Sequence, residues 1–223
     1  MTRPTLVYFA VRGRAEVIRL VLAEAAVDYH EHPIGKGTPP ADGRPTDFQA
    51  LKESGTLPFD AAPVWEEPDG FRLAQSAAIA NYLARSHGLY PKADRDAARC
   101  DQALGACDDV RLELRKLATA APADRAALRE ELAAKTLPRW FGYLDRMLKA
   151  NRAGTSFIVG DAVSVADLAL WYLLELIRDN GFGEVLAKAP ALVAFADRIG
   201  RRPRIAAYVA SARRPPLVPL PTA

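Results

Sequence analysis

Two residues near the start of the chain have types and positions suited to chemistry on a bound group. Tyr8 lies in a short apolar run, Leu6–Phe9, that is typical of a buried strand. A hydroxyl near the end of a strand can project into a cleft and donate a hydrogen bond. The same pattern also fits a tyrosine whose ring lies in the core. Arg14 begins the helical pattern that follows, where the helix dipole disfavours a positive charge, and this indicates a role beyond solvation.

The pair Gln75–Ser76 marks a second position of interest because it precedes another helical pattern. The serine hydroxyl, its backbone N–H and the helix dipole can together bind an anion such as a carboxylate. Taken alone, the pair is more typical of an ordinary helix N-cap. The residues by themselves therefore leave both interpretations open.

The elements that must position these residues alternate between strand and helix in the first part of the chain. The pattern predicts a strand at 6–9, a helix at 14–26 and a second strand at 27–34. A loop rich in glycine and proline follows at 35–45, and 63–73 is typical of a β-hairpin. The order βαβ, loop, ββα is the outline of a thioredoxin-like domain.

Helical patterns alone follow residue 91. Long stripes with helical periodicity cover 97–117 and 123–150, and a further helix is predicted at 190–199. Ser164 and Asp167 have the spacing of a capping box ahead of an apolar helix, so we expect them to be structural rather than catalytic.

The boundary between these two patterns lies near residues 86–94. We expect an α/β domain at 1–85 and an all-α domain at 95–223. The tail, 213–223, contains four prolines in eleven residues and is not expected to form a regular helix.

Several short segments, in their order and spacing, match one enzyme family over nearly the whole chain. They are Leu6–Glu16, Leu57–Phe59, Ala62–Val64, Leu73–Ser76, Ile79–Ala84 and Phe157–Asp167. In these segments the chain resembles the tyrosine-type cytosolic glutathione transferases, and it looks closest to their sigma, alpha, mu and pi group. The resemblance implies a thioredoxin-like N-terminal domain, an all-helical C-terminal domain and glutathione as substrate.

The resemblance also assigns the chemistry to Tyr8 and Arg14. The Tyr8 hydroxyl would donate a hydrogen bond to the glutathione sulfur and favour thiolate over thiol, and Arg14 would support the site electrostatically. The thiolate would attack a hydrophobic electrophile, with the domain at 95–223 contributing to the electrophile site. The same thiolate chemistry also serves peroxide reduction or isomerisation, and the same fold serves non-catalytic ligand binding, so these remain alternatives.

Glutathione itself would be bound by backbone and polar groups that match the family. A cis bond before Pro63 would let the Ala62 backbone pair with the cysteinyl unit like an added strand. Gln75 and Ser76 would bind the γ-glutamyl carboxylate. Asp101, from the other subunit of a dimer, would reach the γ-glutamyl ammonium.

The match departs from the family pattern in the loop before Pro63. The family usually has glutamine where Ala61 stands and often glycine where Asp60 stands. The tryptophan that commonly binds the glycyl carboxylate is absent from the preceding loop. Lys52 is the candidate for that role, with Lys36 or Arg44 as substitutes.

Phe59 resembles the aromatic residue that inserts into the neighbouring subunit in several of these classes, so we expect a homodimer with Phe59 at its interface. A cysteine-based reductase is disfavoured because the turn after the first strand contains no cysteine. That turn also has no serine or cysteine at 10–12, which disfavours the serine-type and cysteine-type transferases.

Composition is that of an ordinary globular protein, with 30 basic and 27 acidic residues and a net charge of +3. No dense basic run suggests nucleic acid, and the doublets Arg201–Arg202 and Arg213–Arg214 are expected to be solvated. No apolar run is long enough to cross a bilayer, and no metal ion is expected. Cys100 and Cys107 lie seven apart on a predicted helix, about 10 Å, and cannot bridge within it. Reduced cysteines and the absence of a leader-like N-terminus favour the cytoplasm.

Overall fold

The described part of the chain, residues 3–35 and 45–222 of a computed structural model, divides into two units. The first comprises the described residues of Met1–His87 together with Ala207–Val218. The second comprises Gly88–Ala206 together with the described residues of Pro219–Ala223. The segment 207–218, which the sequence placed with the helical domain, therefore belongs by its contacts to the first unit.

A mixed four-stranded sheet forms the centre of the first unit. Its strands are β1 (Thr5–Phe9), β2 (His30–Ile34), β3 (Val64–Glu66) and β4 (Arg72–Ala74), in the order β2-β1-β3-β4. β1 runs parallel to β2 and antiparallel to β3, and β3 runs antiparallel to β4. The central position of β1 explains its unbroken apolar run, because such a strand is covered on both faces.

In its described residues, the first unit also contains the helices α1 (Glu16–Glu24), α2 (Phe48–Glu53) and α3 (Ser76–Ser86) and the last residues of a helix from the C-terminal part of the chain. α1 and α3 pack against each other through apolar stripes that include Ile18 and Ile79, both fully buried. A separate apolar cluster joins the sheet to α2 and consists of Val7, Ile34, Leu51, Leu57, Val64 and Ala74. α2 was not predicted, because it is too short to show a helical stripe of its own.

The second unit is helical. Its elements are α4 (Asp94–Thr119), α5 (Arg125–Glu131), α6 (Leu137–Lys149), α7 (Val165–Ile177), α8 (Gly183–Ala187), α9 (Pro190–Gly200) and the start of α10 (Pro203–Val209). α7 is buried nearly all round, as expected for a helix that is apolar on every face. Among the described residues, no helix is both long and apolar enough to span a membrane.

The stripe predicted as one helix at 123–150 is interrupted in the structure. A π-helical turn (Leu132–Thr136) separates α5 from α6. Pro138 follows in the first turn of α6, and its missing N–H leaves one carbonyl group of the preceding turn without its usual helical donor. Glu131 and Leu137, on either side of the π-helical turn, keep helical backbone angles, so the interruption is a local change of hydrogen bonding within one helical run.

Candidate functional site

The hydroxyl oxygen of Tyr8 accepts a hydrogen bond from a backbone N–H group. Tyr8 lies in β1 with only 7% of its surface exposed, and its oxygen accepts a hydrogen bond from the Arg14 backbone N–H at 2.9 Å. A hydroxyl whose oxygen accepts from one side must direct its own proton elsewhere. The geometry therefore prepares Tyr8 to donate to a second group.

Gly13 is a site residue that the sequence did not single out. It adopts φ +44°, and a Cβ at this position would collide with the Tyr8 hydroxyl. Only glycine meets both conditions, because it tolerates positive φ and carries no Cβ. The signal in the sequence was a glycine between two arginines, directly after the strand that bears Tyr8.

A cleft of about 250 Å³ lies in the first unit and collects most of the predicted binding residues. Arg14 is exposed and lines it, and the Ala62–Pro63 bond at its wall is cis, as the resemblance implied. The complete lining consists of Arg14, Phe59, Ala61, Ala62, Pro63, Ala74, Gln75 and Ser76. Because Arg14 also provides the N–H bound by Tyr8, cleft and tyrosine belong to one site.

The start of α3 borders this cleft in an unusual backbone conformation. Gln75 has φ 72° and its side chain makes no capping hydrogen bond to the helix. A residue other than glycine at positive φ costs about 1–3 kcal/mol, and such strain concentrates at functional sites. The strain at Gln75 therefore favours the binding interpretation of Gln75–Ser76 over that of an ordinary N-cap.

Asp60 departs from the family pattern in residue type but not in backbone conformation. It adopts φ 51°, in the left-handed region that favours glycine and that aspartate tolerates better than most residues. Asp60 stands where the family usually has glycine. The loop before Ala62 therefore keeps a backbone conformation that glycine would also adopt.

Lys52 and Asp101 are not among the residues that line the cleft. Lys52 lies on α2 with its Nζ 4.8 Å from the centre of the Phe48 ring. Asp101 is exposed on α4 in the second unit, where it accepts a hydrogen bond from the Tyr90 hydroxyl at 2.7 Å. The other two candidates for the glycyl carboxylate, Lys36 and Arg44, lie outside the described residues.

Neither cysteine has the environment of a nucleophile. Cys100 and Cys107 are free and buried. Burial raises the pKa of Cys100 to about 11 and that of Cys107 to about 12. Both thiols are therefore protonated near neutral pH, which disfavours either of them as a nucleophile.

Two family models cover this architecture. The N-terminal domain model of glutathione S-transferase matches residues 4–85, and the C-terminal domain model of glutathione S-transferase matches residues 108–212. The chain belongs to the glutathione S-transferase family, and it is a glutathione transferase.

Individual relatives match over nearly their full length. Glutathione S-transferase A2 of Mus musculus is 32% identical, with 96% of this chain and 92% of the relative covered. Glutathione S-transferase A3 of Homo sapiens is 31% identical over the same shares of both chains. Among solved structures, a pi-class glutathione S-transferase of Onchocerca volvulus superposes with a TM-score of 0.81 at 25% identity, covering 93% of this chain and 92% of the other.

Proposed function

We propose that this transferase conjugates glutathione to a hydrophobic electrophile and that Tyr8 activates the glutathione thiol. The observation that carries the proposal is the hydrogen bond from the Arg14 N–H to the Tyr8 oxygen. It leaves the Tyr8 proton as a donor for the glutathione sulfur, which is thereby favoured as the thiolate. The names of the relatives favour conjugation over the peroxidase, isomerase and carrier alternatives.

This arrangement can supply the free energy needed to lower the pKa of the bound glutathione thiol. Lowering a thiol pKa by about two requires about 2.7 kcal/mol of differential stabilisation. One hydrogen bond to a charged group contributes about 1.5–3 kcal/mol. Arg14 adds a positive charge at the cleft, so the tyrosine and the guanidinium together are sufficient.

The cleft supplies the remaining groups for the tripeptide. The Ala62 backbone, which lies at the wall of the cleft, would pair with the cysteinyl unit in the manner of an added strand. Ser76 and the first N–H groups of α3 would bind the γ-glutamyl carboxylate. Lys52 is proposed for the glycyl carboxylate, and Asp101 of a second subunit for the γ-glutamyl ammonium.

The electrophile and the assembly are proposed from exposed apolar surface. Ala10 is exposed and Val11 half-buried directly after the strand that bears Tyr8, which suits an apolar second substrate.

Phe59 is 65% exposed, as expected of a side chain that inserts into a second copy. Sedimentation at micromolar concentration tests the homodimer, and a monomer would contradict it. Two free, buried cysteines support a reducing compartment such as the cytoplasm.

Thiol activation can be measured directly, by titrating glutathione into the protein at a series of pH values and recording the ultraviolet absorbance of the thiolate. We expect the bound thiol to ionise about two pH units below the free thiol. Saturable binding without thiolate would instead indicate a glutathione carrier. A bound thiol that ionises at its free pKa would exclude the activation step.

Replacing Ser76 with alanine tests the carboxylate site. We expect Ser76→Ala to weaken glutathione binding at least about tenfold, because one hydrogen bond to a charged group, which contributes about 1.5 kcal/mol or more, is lost. Calorimetry measures the change. Ser86→Ala is the matched control, since Ser86 ends the same helix and its hydroxyl donates to the Tyr82 carbonyl oxygen. Equal affinities for both variants would place the γ-glutamyl carboxylate elsewhere.

A further inference from the structure

The carboxylate of Glu16 is completely buried at the start of α1. Its Oε1 accepts from Arg214 Nε at 2.8 Å, and its Oε2 accepts from the Tyr208 hydroxyl at 3.1 Å. Arg19 Nη1 lies 3.6 Å from the same Oε2. Two of these three partners, Tyr208 and Arg214, belong to the C-terminal segment. A buried carboxylate is tolerated only when it is paired and hydrogen-bonded, so this segment completes the environment of Glu16.

The prediction that Arg214 would be a solvated tail charge is wrong. Its side chain is 5% exposed, and that of Glu16 is 0% exposed. No local pattern indicates this ion pair, because the two residues are 198 positions apart in the chain. Of the doublet, only Arg213 is exposed, and its guanidinium lies over the Tyr29 ring.

Charge balance in this cluster depends on Arg214. Arg19 is shared with a second carboxylate, because its Nε and Nη2 donate to Glu31 at 2.7 and 3.2 Å. The Tyr29 hydroxyl also donates to Glu31 at 3.0 Å. Burial raises the pKa of Tyr29 and that of Tyr208, so both remain neutral donors. Loss of Arg214 would therefore leave Glu16 with Arg19 as its described guanidinium partner, and Arg19 already donates to Glu31.

The same cluster supports the loop that carries the Tyr8 donor. Arg19 Nη1 donates to the Val11 carbonyl at 2.9 Å and to the Arg12 carbonyl at 3.3 Å. From the other direction, the Arg12 N–H donates to the Pro216 carbonyl at 3.1 Å. Arg12 Nε donates to the Pro215 carbonyl at 3.3 Å. The loop is thus bound on one side by Arg19 and on the other by the tail.

We propose that the tail segment 213–216 positions the 11–14 loop for catalysis, through the ion pair of Arg214 with Glu16. The ion pair anchors the tail, and the anchored prolines present two carbonyl groups to Arg12. Arg12 lies two residues before Arg14, whose N–H orients the Tyr8 hydroxyl. Arg214 is therefore a positioning residue that acts through the loop and does not contact the substrate. The proposal rests on the role proposed above for Tyr8.

The test compares Arg214→Met with Arg214→Lys and with Arg213→Met. Methionine removes the charge but keeps an unbranched stem, whereas lysine restores the charge. Arg213→Met alters the neighbouring arginine, whose guanidinium lies over the Tyr29 ring but has no described bond to Glu16 or Arg12, so it controls for the loss of a positive charge beside the cluster. Amide hydrogen exchange by NMR, without glutathione, reports on the Arg12 and Arg14 amides directly. The thiolate titration and the kinetics with chlorodinitrobenzene report on the reaction.

For Arg214→Met we expect exchange at the Arg12 and Arg14 amides to accelerate about tenfold relative to the amides of α1. The thiolate fraction of bound glutathione at about pH 6.5 should fall about threefold. kcat should fall by a similar factor, whereas KM for glutathione changes by less than about twofold. Arg214→Lys should recover most of these changes, and Arg213→Met should show none of them.

Two results would overturn the proposal. Unchanged exchange at Arg12 and Arg14 would show that the tail does not hold the loop, whatever the role of Tyr8. Faster exchange with an unaltered thiolate fraction would show that holding the 11–14 loop in place does not contribute to activation of the glutathione thiol. If Arg214→Met does not fold, the double variant Glu16→Gln with Arg214→Met leaves Arg19 and Glu31 balanced, and it is expected to give the same exchange and thiolate changes.

Discussion

Replacing Tyr8 with phenylalanine is expected to lower kcat at least about tenfold, because the donor to the glutathione sulfur is lost at the step where the thiolate forms. The ring remains in place, since its edge-on packing against Phe9 at 5.6 Å does not involve the hydroxyl. Glutathione affinity should change by less than about twofold, because the cleft that binds the tripeptide is unaltered. Steady-state kinetics with chlorodinitrobenzene and calorimetry with glutathione measure the two effects separately.

Tyr143→Phe is the control for this comparison, because Tyr143 is an exposed tyrosine on α6 with 46% of its surface accessible. It should leave kcat unchanged. Turnover retained in Tyr8→Phe would remove Tyr8 from the mechanism. A large loss of glutathione affinity in Tyr8→Phe would instead assign the hydroxyl to substrate binding rather than to activation.

Replacing Asp167 with alanine is expected to cost about 3 kcal/mol of unfolding free energy, because two buried N–H groups lose their acceptor. Asp167 is fully buried at the start of α7. It accepts from the Ile158 N–H at 2.7 Å and from the Ser164 N–H and hydroxyl at 2.8 and 2.7 Å. Burial raises the pKa of the Asp167 carboxyl above its usual value, because these hydrogen bonds oppose the effect of burial only in part. Urea unfolding measures the loss.

The matched control is Asp161→Ala, in the turn that precedes the same helix. Asp161 forms an ion pair with Arg152, but its side chain is 70% exposed, so the expected cost is below about 0.5 kcal/mol. If both variants were equally stable, the capping box would contribute nothing beyond a surface ion pair, and the structural role predicted for Ser164 and Asp167 would be wrong.

Local features of the fold could be predicted because their partners are close in the chain. The capping box of Ser164 and Asp167 is confirmed, since both residues lie within one turn of the same helix. The strand that bears Tyr8 and the helix that begins after Gln75 followed from periodicity in the same way. Only the family resemblance, and not the residue pattern, pointed to the cis bond before Pro63.

The sequence by itself determined the two halves of the protein, the strand and helix that bear Tyr8 and Ser76, and the family to which the chain belongs. Only the tertiary structure decided that a side chain at position 13 would meet the Tyr8 hydroxyl, that Gln75 is strained, and that Arg214 is buried against Glu16. Periodicity and capping act over one or two helical turns, so they are visible in the residues. Contacts between segments far apart in the chain depend on how those segments pack, and no local pattern encodes them.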